Sequence, residues 1–213
     1  VDEKRVSVMR NGVDLSLFNP SDNDEQYALK QALGLSTPHL IVSVGWLIER
    51  KGHHLIIEAL QELPTVTLAI AGSGPDLESL KKLARQLGVD ERVQFLGALS
   101  QPELNSWFRC ADLSVLASSR EGWANVLLES MASGTPVVAT KVWGTPEVVR
   151  SRAAGVLVER TPSAIAQGVT NLLSNKPSRD DTRRYAEQFS WNETCDGLYN
   201  IFVSIKDGRD IRA

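Results

Sequence analysis

The alternation of short apolar runs with longer segments of helical spacing is the feature that most constrains the fold of this chain. The runs are rich in Val, Leu, Ile and Ala and end at Gly, Pro or polar residues. Strands buried on both faces have this composition, and helices connect them in parallel sheets. The pattern predicts an α/β domain, a Rossmann-like doubly wound parallel sheet with helices on both faces. Strands are predicted at 6–9, 40–44, 66–71, 93–96, 112–117, 136–139 and 155–158.

Helices are predicted from apolar spacing and from capping signals. They occupy 53–63, 75–87, 102–110, a segment that ends near Gly134, 161–173, 179–189 and 190–205. Pro75 suits a first helical turn, and Ser190 with Glu193 has the spacing of a capping box. Residues 207–213 are predicted to be loose.

The composition limits the classes of function. The 213 residues suit one large domain, and a net charge of −3 argues against a nucleic-acid partner. No signal peptide and no apolar run of transmembrane length is evident. Cys110 and Cys195 are predicted to be buried free thiols in a reducing compartment. These features favour a cytoplasmic location and leave a peripheral membrane contact open.

Two glutamates follow the predicted strand at 112–117, and ligands of doubly wound sheets bind beyond the carboxyl ends of the strands. Glu121 and Glu129 have seven residues between them. Gly122 favours a loop, so Glu121 is predicted just before a helix and Glu129 within it. The first carboxylate then suits the hydroxyls of a transferred sugar, and the second suits a ribose diol. From the spacing, it is equally plausible that Glu121 interacts with the helix dipole and Glu129 is a surface residue.

The start of this helix is a predicted phosphate site, because helix N-termini offer free N–H groups and a partial positive charge. The donors expected there are the amides of Asn125, Val126 and Leu127. Together with the two glutamates, they suit a nucleotide diphosphate sugar.

A second candidate segment follows the predicted strand at 40–44. Gly45 lets a ligand approach the backbone closely, and Lys51 supplies a mobile cation for phosphate oxygens. Such a cation stabilises the charge that accumulates on a leaving nucleotide diphosphate. The alternative is a turn with a solvated Arg50–Lys51 pair, and this segment by itself favours the turn.

A third candidate segment contains Gly72 and Gly74 after the predicted strand at 66–71. Glycines at this place let a base or a phosphate lie against the backbone, although the full dinucleotide fingerprint is missing. A tight turn into the helix at Pro75 is the alternative, which the segment by itself favours. No metal site is predicted, because the adjacent His53 and His54 point in different directions and no further ligand completes a chelate.

In this order, the motifs resemble the C-terminal, nucleotide-sugar-binding domain of retaining glycosyltransferases of family 4, which have the GT-B fold. The resemblance begins at Asn11-Gly12-Val13-Asp14 and continues through VGWLIERKG at 44–52 and AGSGP at 71–75. It then covers VQFLGALS at 93–100 and SSREGWANVLLESMASGTPVVAT at 118–140. Nearly the whole chain is covered, and 121–140 is the most specific part.

The resemblance implies a role for each matching residue. Glu121 and Glu129 match the E-x7-E motif, in which the first glutamate holds the donor sugar and the second binds the ribose. Lys51 and the backbone at 125–127 match the diphosphate site, and the base is expected on main-chain groups near Leu96 and Gly97.

Three positions differ from the family pattern. Trp46 stands where the family has an arginine that binds the diphosphate, and Arg50 is a possible substitute. Ala124 and Trp143 stand where glycine is common, and the larger side chain at 143 is expected to narrow the site or change the sugar preference.

The resemblance also implies the reaction. The expected function is transfer of a hexosyl group from a nucleotide diphosphate sugar to an acceptor saccharide or lipid carrier, with retention and without a metal cofactor. Residues 1–213 are then the donor-binding domain, which a missing N-terminal domain completes, and the helix at about 190–213 packs toward it. The start at VDEKR without Met agrees with a fragment. The alternatives are a GT-B nucleotide-sugar epimerase and a non-catalytic nucleotide-sugar-binding module, which Trp46 favours.

Overall fold

The computed structural model describes residues 7–35 and 37–207. Six strands form one sheet in the order β3-β2-β1-β4-β5-β6, and all five neighbouring pairs are parallel. The predicted doubly wound α/β fold is confirmed. The strands are β1 (His39–Val44), β2 (Val66–Ala71), β3 (Val93–Gly97), β4 (Leu113–Leu116), β5 (Val137–Thr140) and β6 (Gly155–Val158).

Helices cover both faces of this sheet. In the described part of the chain they are α1 (Asn23–Ala32), α2 (His53–Ala59), α3 (Leu77–Gln86), α4 (Gln101–Cys110), α5 (Asn125–Ala132), α6 (Thr145–Val148), α7 (Pro162–Ser174), α8 (Arg179–Ala186) and α9 (Trp191–Lys206). Short 3-10 turns occupy Glu49–Lys51, Leu60–Glu62, Asp90–Arg92 and Glu187–Phe189.

Two hydrophobic clusters lie on opposite faces of the sheet because successive strand side chains alternate. Within β1, Leu40 and Val42 enter the cluster that α4, α5 and α8 cover. Ile41 enters the other cluster, which lies under α2, α3 and α7. All three side chains are fully buried, as a continuous apolar strand predicts.

Several predicted elements differ in the structure. Residues 7–9 form no strand and residue 6 lies outside the described residues; the nearest strand-like contact is a single bridge between Val13 and Ser190. The helix predicted at 53–63 changes to a 3-10 turn after Ala59, before Pro64, which disfavours helical backbone at the residue before it. Pro75 precedes α3, which begins at Leu77.

The C-terminal region also corrects two expectations. Ser190 caps α9 without a side-chain hydrogen bond, so the predicted capping box is absent there. Cys110 is buried as predicted, but Cys195 on α9 is exposed, and both are free thiols. The expectation for 207–213 concerns residues that, apart from Asp207, lie outside the described part.

Candidate functional site

The loops that follow β1 and β4 meet at the point where the strand order reverses. β1 lies between β2 and β4, so the chain leaves β1 and β4 toward opposite sides of the sheet. A doubly wound sheet opens a crevice at such a point, beyond the carboxyl ends of its strands. Lys51 lies in the loop after β1, and Glu121 lies in the loop after β4.

Lys51 and Glu121 form an ion pair in this crevice. The distance from Lys51 Nζ to Glu121 Oε1 is 2.6 Å, and the hydroxyl of Ser118 donates to the same oxygen at 2.6 Å. The side chains are 17% and 10% exposed, so the pair is largely shielded from water. The Lys51 methylene chain lies against Gly45, at 3.4 Å from where a Cβ would stand, which is an ordinary van der Waals distance. The structure therefore joins Lys51, predicted as a catalytic cation for the leaving diphosphate, and Glu121, predicted as the catalytic carboxylate that holds the transferred sugar.

The same two loops are fastened to each other through their backbones. The Ser119 amide donates to the Arg50 carbonyl at 2.8 Å, and Arg50 Nη1 donates to the Arg120 carbonyl at 2.7 Å. Gly52 has φ +72°, and a Cβ there would lie 2.1 Å from the carbonyl oxygen of Ala117. The guanidinium of Arg50 thus holds the loop that carries Glu121.

Glu129 lies within α5, four residues after its start, as predicted. Partial burial raises the pKa of its carboxyl, and no described residue pairs with that carboxylate or donates a hydrogen bond to it. Ligand hydroxyl groups are donors that would satisfy such a carboxylate.

The first turn of α5 contains the predicted phosphate donors. The amide of Asn125 donates to the Trp123 carbonyl at 3.1 Å, and that of Leu127 donates to the Ala124 carbonyl at 3.0 Å. No hydrogen bond within the described residues engages the amide of Val126. Gly122 precedes the helix, and a Cβ on it would meet open space.

The loop after β2 packs directly on the loop after β1. A Cβ on Gly72 would lie 1.9 Å from the Gly45 carbonyl oxygen, and one on Gly74 would lie 2.5 Å from the carbonyl oxygen of Leu47. The Leu47 amide also donates to the Ser73 carbonyl at 2.8 Å. The absence of side chains at 72 and 74 is therefore explained by this close contact between two backbones.

A cavity of about 220 Å³ adjoins these loops on the β3 side of the crevice. Trp46 borders it and is 56% exposed. Leu96 and Gly97, the residues expected to hold a base, immediately precede the wall of this cavity, and the Gly97 carbonyl accepts from the Gly72 amide at 2.7 Å. The lining residues are Val44, Gly45, Trp46, Ala71, Gly72, Ser73, Ala98, Leu99 and Leu104.

Sequence reasoning missed the residues that hold Glu121 from the β5 side. Ser118 contacts its carboxylate, and the hydroxyl of Thr140 donates to the Ser118 carbonyl at 2.6 Å. The Gly144 amide donates to the Glu121 carbonyl at 3.1 Å. Small polar residues near the ends of two neighbouring strands are the only signal of this network in the sequence.

His53 begins α2 beneath the crevice. Its side chain is buried, Nδ1 lies 3.1 Å from Ser43 Oγ, and Nε2 has no hydrogen-bond partner in the described part of the chain. Burial, reinforced by the charge of Lys51, lowers the pKa of His53 to about 4. This imidazole is therefore neutral near pH 7.

Across 7–35 and 37–207, no three His, Cys, Asp or Glu side chains are grouped to hold a metal ion. No helix in these ranges has the length and hydropathy needed to cross a bilayer. The expectations of metal-free chemistry and of a cytoplasmic location remain predictions.

The fold and the site define a Rossmann-like α/β domain with a crevice at its switch point. The model of the family "glycosyl transferases group 1" matches residues 25–189, and the chain belongs to this family. It is 35% identical over 206 residues to the D-inositol 3-phosphate glycosyltransferase of Mycolicibacterium smegmatis, with 92% of this chain and 47% of that protein covered. For the Mycobacterium bovis protein of the same name, identity is 37% over 210 residues, with 92% and 43% covered. The chain thus spans about half the length of these relatives.

Solved structures with the same fold include two informative ones. Anabaena HepE in complex with UDP and glucose has a TM-score of 0.85 and 25% identity, with 93% of this chain and 56% of that chain covered. The C-terminal domain of a glycosyl transferase group 1 family protein, LpcC from Francisella tularensis, has a TM-score of 0.69 and 31% identity. The match covers 82% of this chain and 93% of that domain.

Proposed function

We propose that this chain is the donor-binding half of a retaining GT-B glycosyltransferase of family 4, which transfers a hexosyl group from a nucleotide diphosphate sugar to an acceptor. The ion pair between Lys51 and Glu121, at 2.6 Å in the crevice between β1 and β4, carries the proposal. The names of the mycobacterial relatives and the UDP and glucose bound to HepE support this class of donor.

Lys51 and Glu121 serve opposite ends of the reacting bond in this proposal. The ammonium of Lys51 stabilises negative charge on the diphosphate as it leaves. The carboxylate of Glu121 accepts hydrogen bonds from the hydroxyls of the transferred sugar. Each group neutralises the other in the free protein, so donor binding exchanges one set of charged contacts for another.

The nucleotide extends away from this pair. Glu129 accepts hydrogen bonds from the ribose diol, and the Val126 amide, at the positive end of α5, donates to a phosphate oxygen. The base lies along the main chain at Leu96 and Gly97 and in the adjoining cavity next to Trp46. Fixed dipoles and one lysine thus replace a metal ion at the diphosphate.

The remaining parts of the enzyme are proposed from the length of the relatives. An N-terminal GT-B domain of the same polypeptide brings the acceptor site for a saccharide or a lipid carrier, and α9 packs toward that domain. Exposed apolar side chains on α9, among them Tyr199 and Phe202, agree with this contact. Any contact with the cytoplasmic face of a membrane is proposed to lie outside this chain.

Nucleotide binding is the direct test. We expect one of UDP, GDP or ADP, or its sugar conjugate, to bind in calorimetric titration and raise the unfolding temperature. At one hundred times the dissociation constant, the stabilisation is about 2.7 kcal/mol. Absence of binding by all of them would refute the proposal. In the full-length protein, conversion of the donor without any acceptor would identify an epimerase, and binding without any turnover would identify a non-catalytic module.

A further inference from the structure

The loop between β5 and α6 exposes a tryptophan in an unfavourable backbone conformation. Trp143 is 68% exposed, and its φ of +41° is the only positive value at a non-glycine residue in the described ranges. Left-handed backbone is costly for a bulky side chain, and such outliers persist where the surrounding structure enforces them, often at ligand sites. A large aromatic side chain in water adds to this cost.

The residues around Trp143 enforce its conformation. On one side, the Val142 amide donates to the Thr145 hydroxyl at 3.0 Å, and that hydroxyl donates to the Thr140 carbonyl at 2.7 Å. On the other side, a Cβ on Gly144 would lie 2.0 Å from the carbonyl oxygen of Gly122. The Gly144 amide bonds to the Glu121 carbonyl, so Trp143 is held rigidly beside the Glu121 loop.

The indole ring itself is also positioned. The guanidinium carbon of Arg120 lies 4.5 Å from the ring centroid, over one face. The Arg120 backbone is in turn bound by Arg50, at 2.7 Å. Since the side chain remains largely exposed, the opposite face of the indole is open to solvent. An aromatic ring with one face supported and the other open is a platform for stacking.

The order of the strands indicates which part of the donor lies near Trp143. Under the proposed function, β3 ends at the base, β1 at the diphosphate and β4 at the transferred sugar. β5 is the next strand along the same edge, about 4.8 Å beyond β4, which is about the width of one sugar ring. A hexose presents C–H groups with partial positive charge on its faces, and these complement the negative face of an indole.

We infer that Trp143 is a stacking platform for the transferred sugar of the donor and so determines which sugar the site accepts. The inference rests on the proposed function, because it assumes that Glu121 holds that sugar. It requires that Trp143 contribute to binding of the sugar and not of the nucleotide.

The test compares each nucleotide with its sugar conjugate. Calorimetric titrations of this chain use UDP with UDP-glucose, GDP with GDP-mannose, and ADP with ADP-glucose, and the pair that binds is carried forward. In Trp143→Ala, the affinity for the sugar conjugate is expected to fall about three- to tenfold while that for the nucleotide is unchanged. Trp143→Phe should retain most of the affinity for the conjugate because it keeps a stacking ring.

Three further variants separate stacking from other effects. Tyr27→Ala removes a similarly exposed aromatic residue on α1 and should change neither affinity. Trp46→Ala should weaken nucleotide and conjugate equally, because Trp46 borders the cavity proposed for the base. Trp143→Gly should unfold at a higher temperature than Trp143→Ala, since glycine tolerates a positive φ.

The outcomes distinguish this inference from the proposed function. Unchanged affinity of Trp143→Ala for the conjugate, or an equal loss for nucleotide and conjugate, would overturn the stacking role and leave the donor site intact. Binding of none of the three pairs to the wild-type chain would overturn the proposed function and the platform together.

Discussion

The molecule holds its buried ionisable groups in two different ways. In the crevice between β1 and β4, Lys51 and Glu121 neutralise each other, and Ser118 supplies a further polar contact. On the flanking helices, the partly buried Glu129 in α5 and the buried His53 in α2 have no oppositely charged partner among the described residues. Burial raises the pKa of Glu129 and lowers the pKa of His53 to about 4, so both groups resist ionisation.

The two arrangements predict different consequences of ligand binding. Lys51 and Glu121 must exchange an existing partner for the ligand, whereas Glu129 gains a partner. A donor that binds at Glu121 replaces an existing charged contact, so the net gain in free energy is a difference between two sets of interactions. A ribose that reaches Glu129 donates hydrogen bonds to a carboxylate that has no partner among the described residues, so no protein contact is given up. We therefore expect the favourable free energy of donor binding to come mainly from contacts with α5. The ion pair in the crevice is expected to stabilise the charge that develops during the reaction.

The largest effect is expected from removing the cation of the crevice. In the full-length protein, Lys51→Met should reduce the rate of hexosyl transfer roughly ten- to a thousandfold, because a stabiliser of the leaving diphosphate is lost. Steady-state kinetics with saturating acceptor measures this loss. Lys81→Met, which breaks an exposed ion pair with Glu78 on α3, is the matched control and should leave transfer unchanged. Wild-type turnover in the Lys51 variant would refute the assigned role.

The sequence predicted this crevice only in part. The strands are predictable because each is a short, mostly apolar run, and Lys51 and Glu121 both follow such runs. Their contact at 2.6 Å joins residues 70 positions apart and depends on β1 lying next to β4, which local pattern does not determine. The polar helix α1 was missed because tertiary packing against α4 overrides its weak apolar periodicity. Ala98 and Leu99 have no polar or charged group that would mark a binding site, so the sequence does not predict that they line the cavity.

A double-mutant cycle tests whether the ion pair between Lys51 and Glu121 stabilises the folded protein. Lys51→Met leaves the Glu121 carboxylate largely buried without its cation and should lower the free energy of unfolding by about 2–3 kcal/mol. Adding Glu121→Gln should recover most of that loss, because neither group is then charged. Denaturant unfolding of the four proteins at pH 7 measures the coupling. Additive effects of the two substitutions would show that the pair contributes nothing to stability.

Lowering the pH should reduce the stability of the folded protein through His53. The pKa of His53 lies near 4 in the folded protein and near 6.5 when unfolded, so below pH 6.5 the unfolded chain binds the proton more readily. Stability is therefore lost as pH falls through this window, by roughly 2 kcal/mol between pH 7 and pH 5. In His53→Gln this contribution to the pH dependence of unfolding should disappear.

His54→Gln is the matched control for the acid experiment, since His54 is the neighbouring imidazole and is less buried. Its unfolding should keep the pH dependence of the wild-type chain. An equal flattening of the profile in both variants, or none in His53→Gln, would contradict the neutral state derived for the buried imidazole.

The smallest effect, and the one that most directly separates the two glutamates, is expected from Glu129→Gln. The folded protein holds the proton of Glu129 more tightly than the unfolded chain, so stability falls as pH rises from the unfolded pKa through the raised folded pKa. Glutamine carries no charge there, and the free protein should unfold at a slightly higher temperature at pH 7. Nucleotide affinity should nevertheless fall about tenfold, because hydrogen bonds from the ribose to a charged acceptor are weakened. Calorimetric unfolding and nucleotide titration measure the two effects, and Glu159→Gln, an exposed glutamate, should alter neither.

Glu121→Gln should not gain stability in the same way, because its carboxylate already has Lys51 as a partner. A higher unfolding temperature for Glu121→Gln and a lower one for Glu129→Gln would contradict the assignment of Glu121 as the paired carboxylate and Glu129 as the unpaired one.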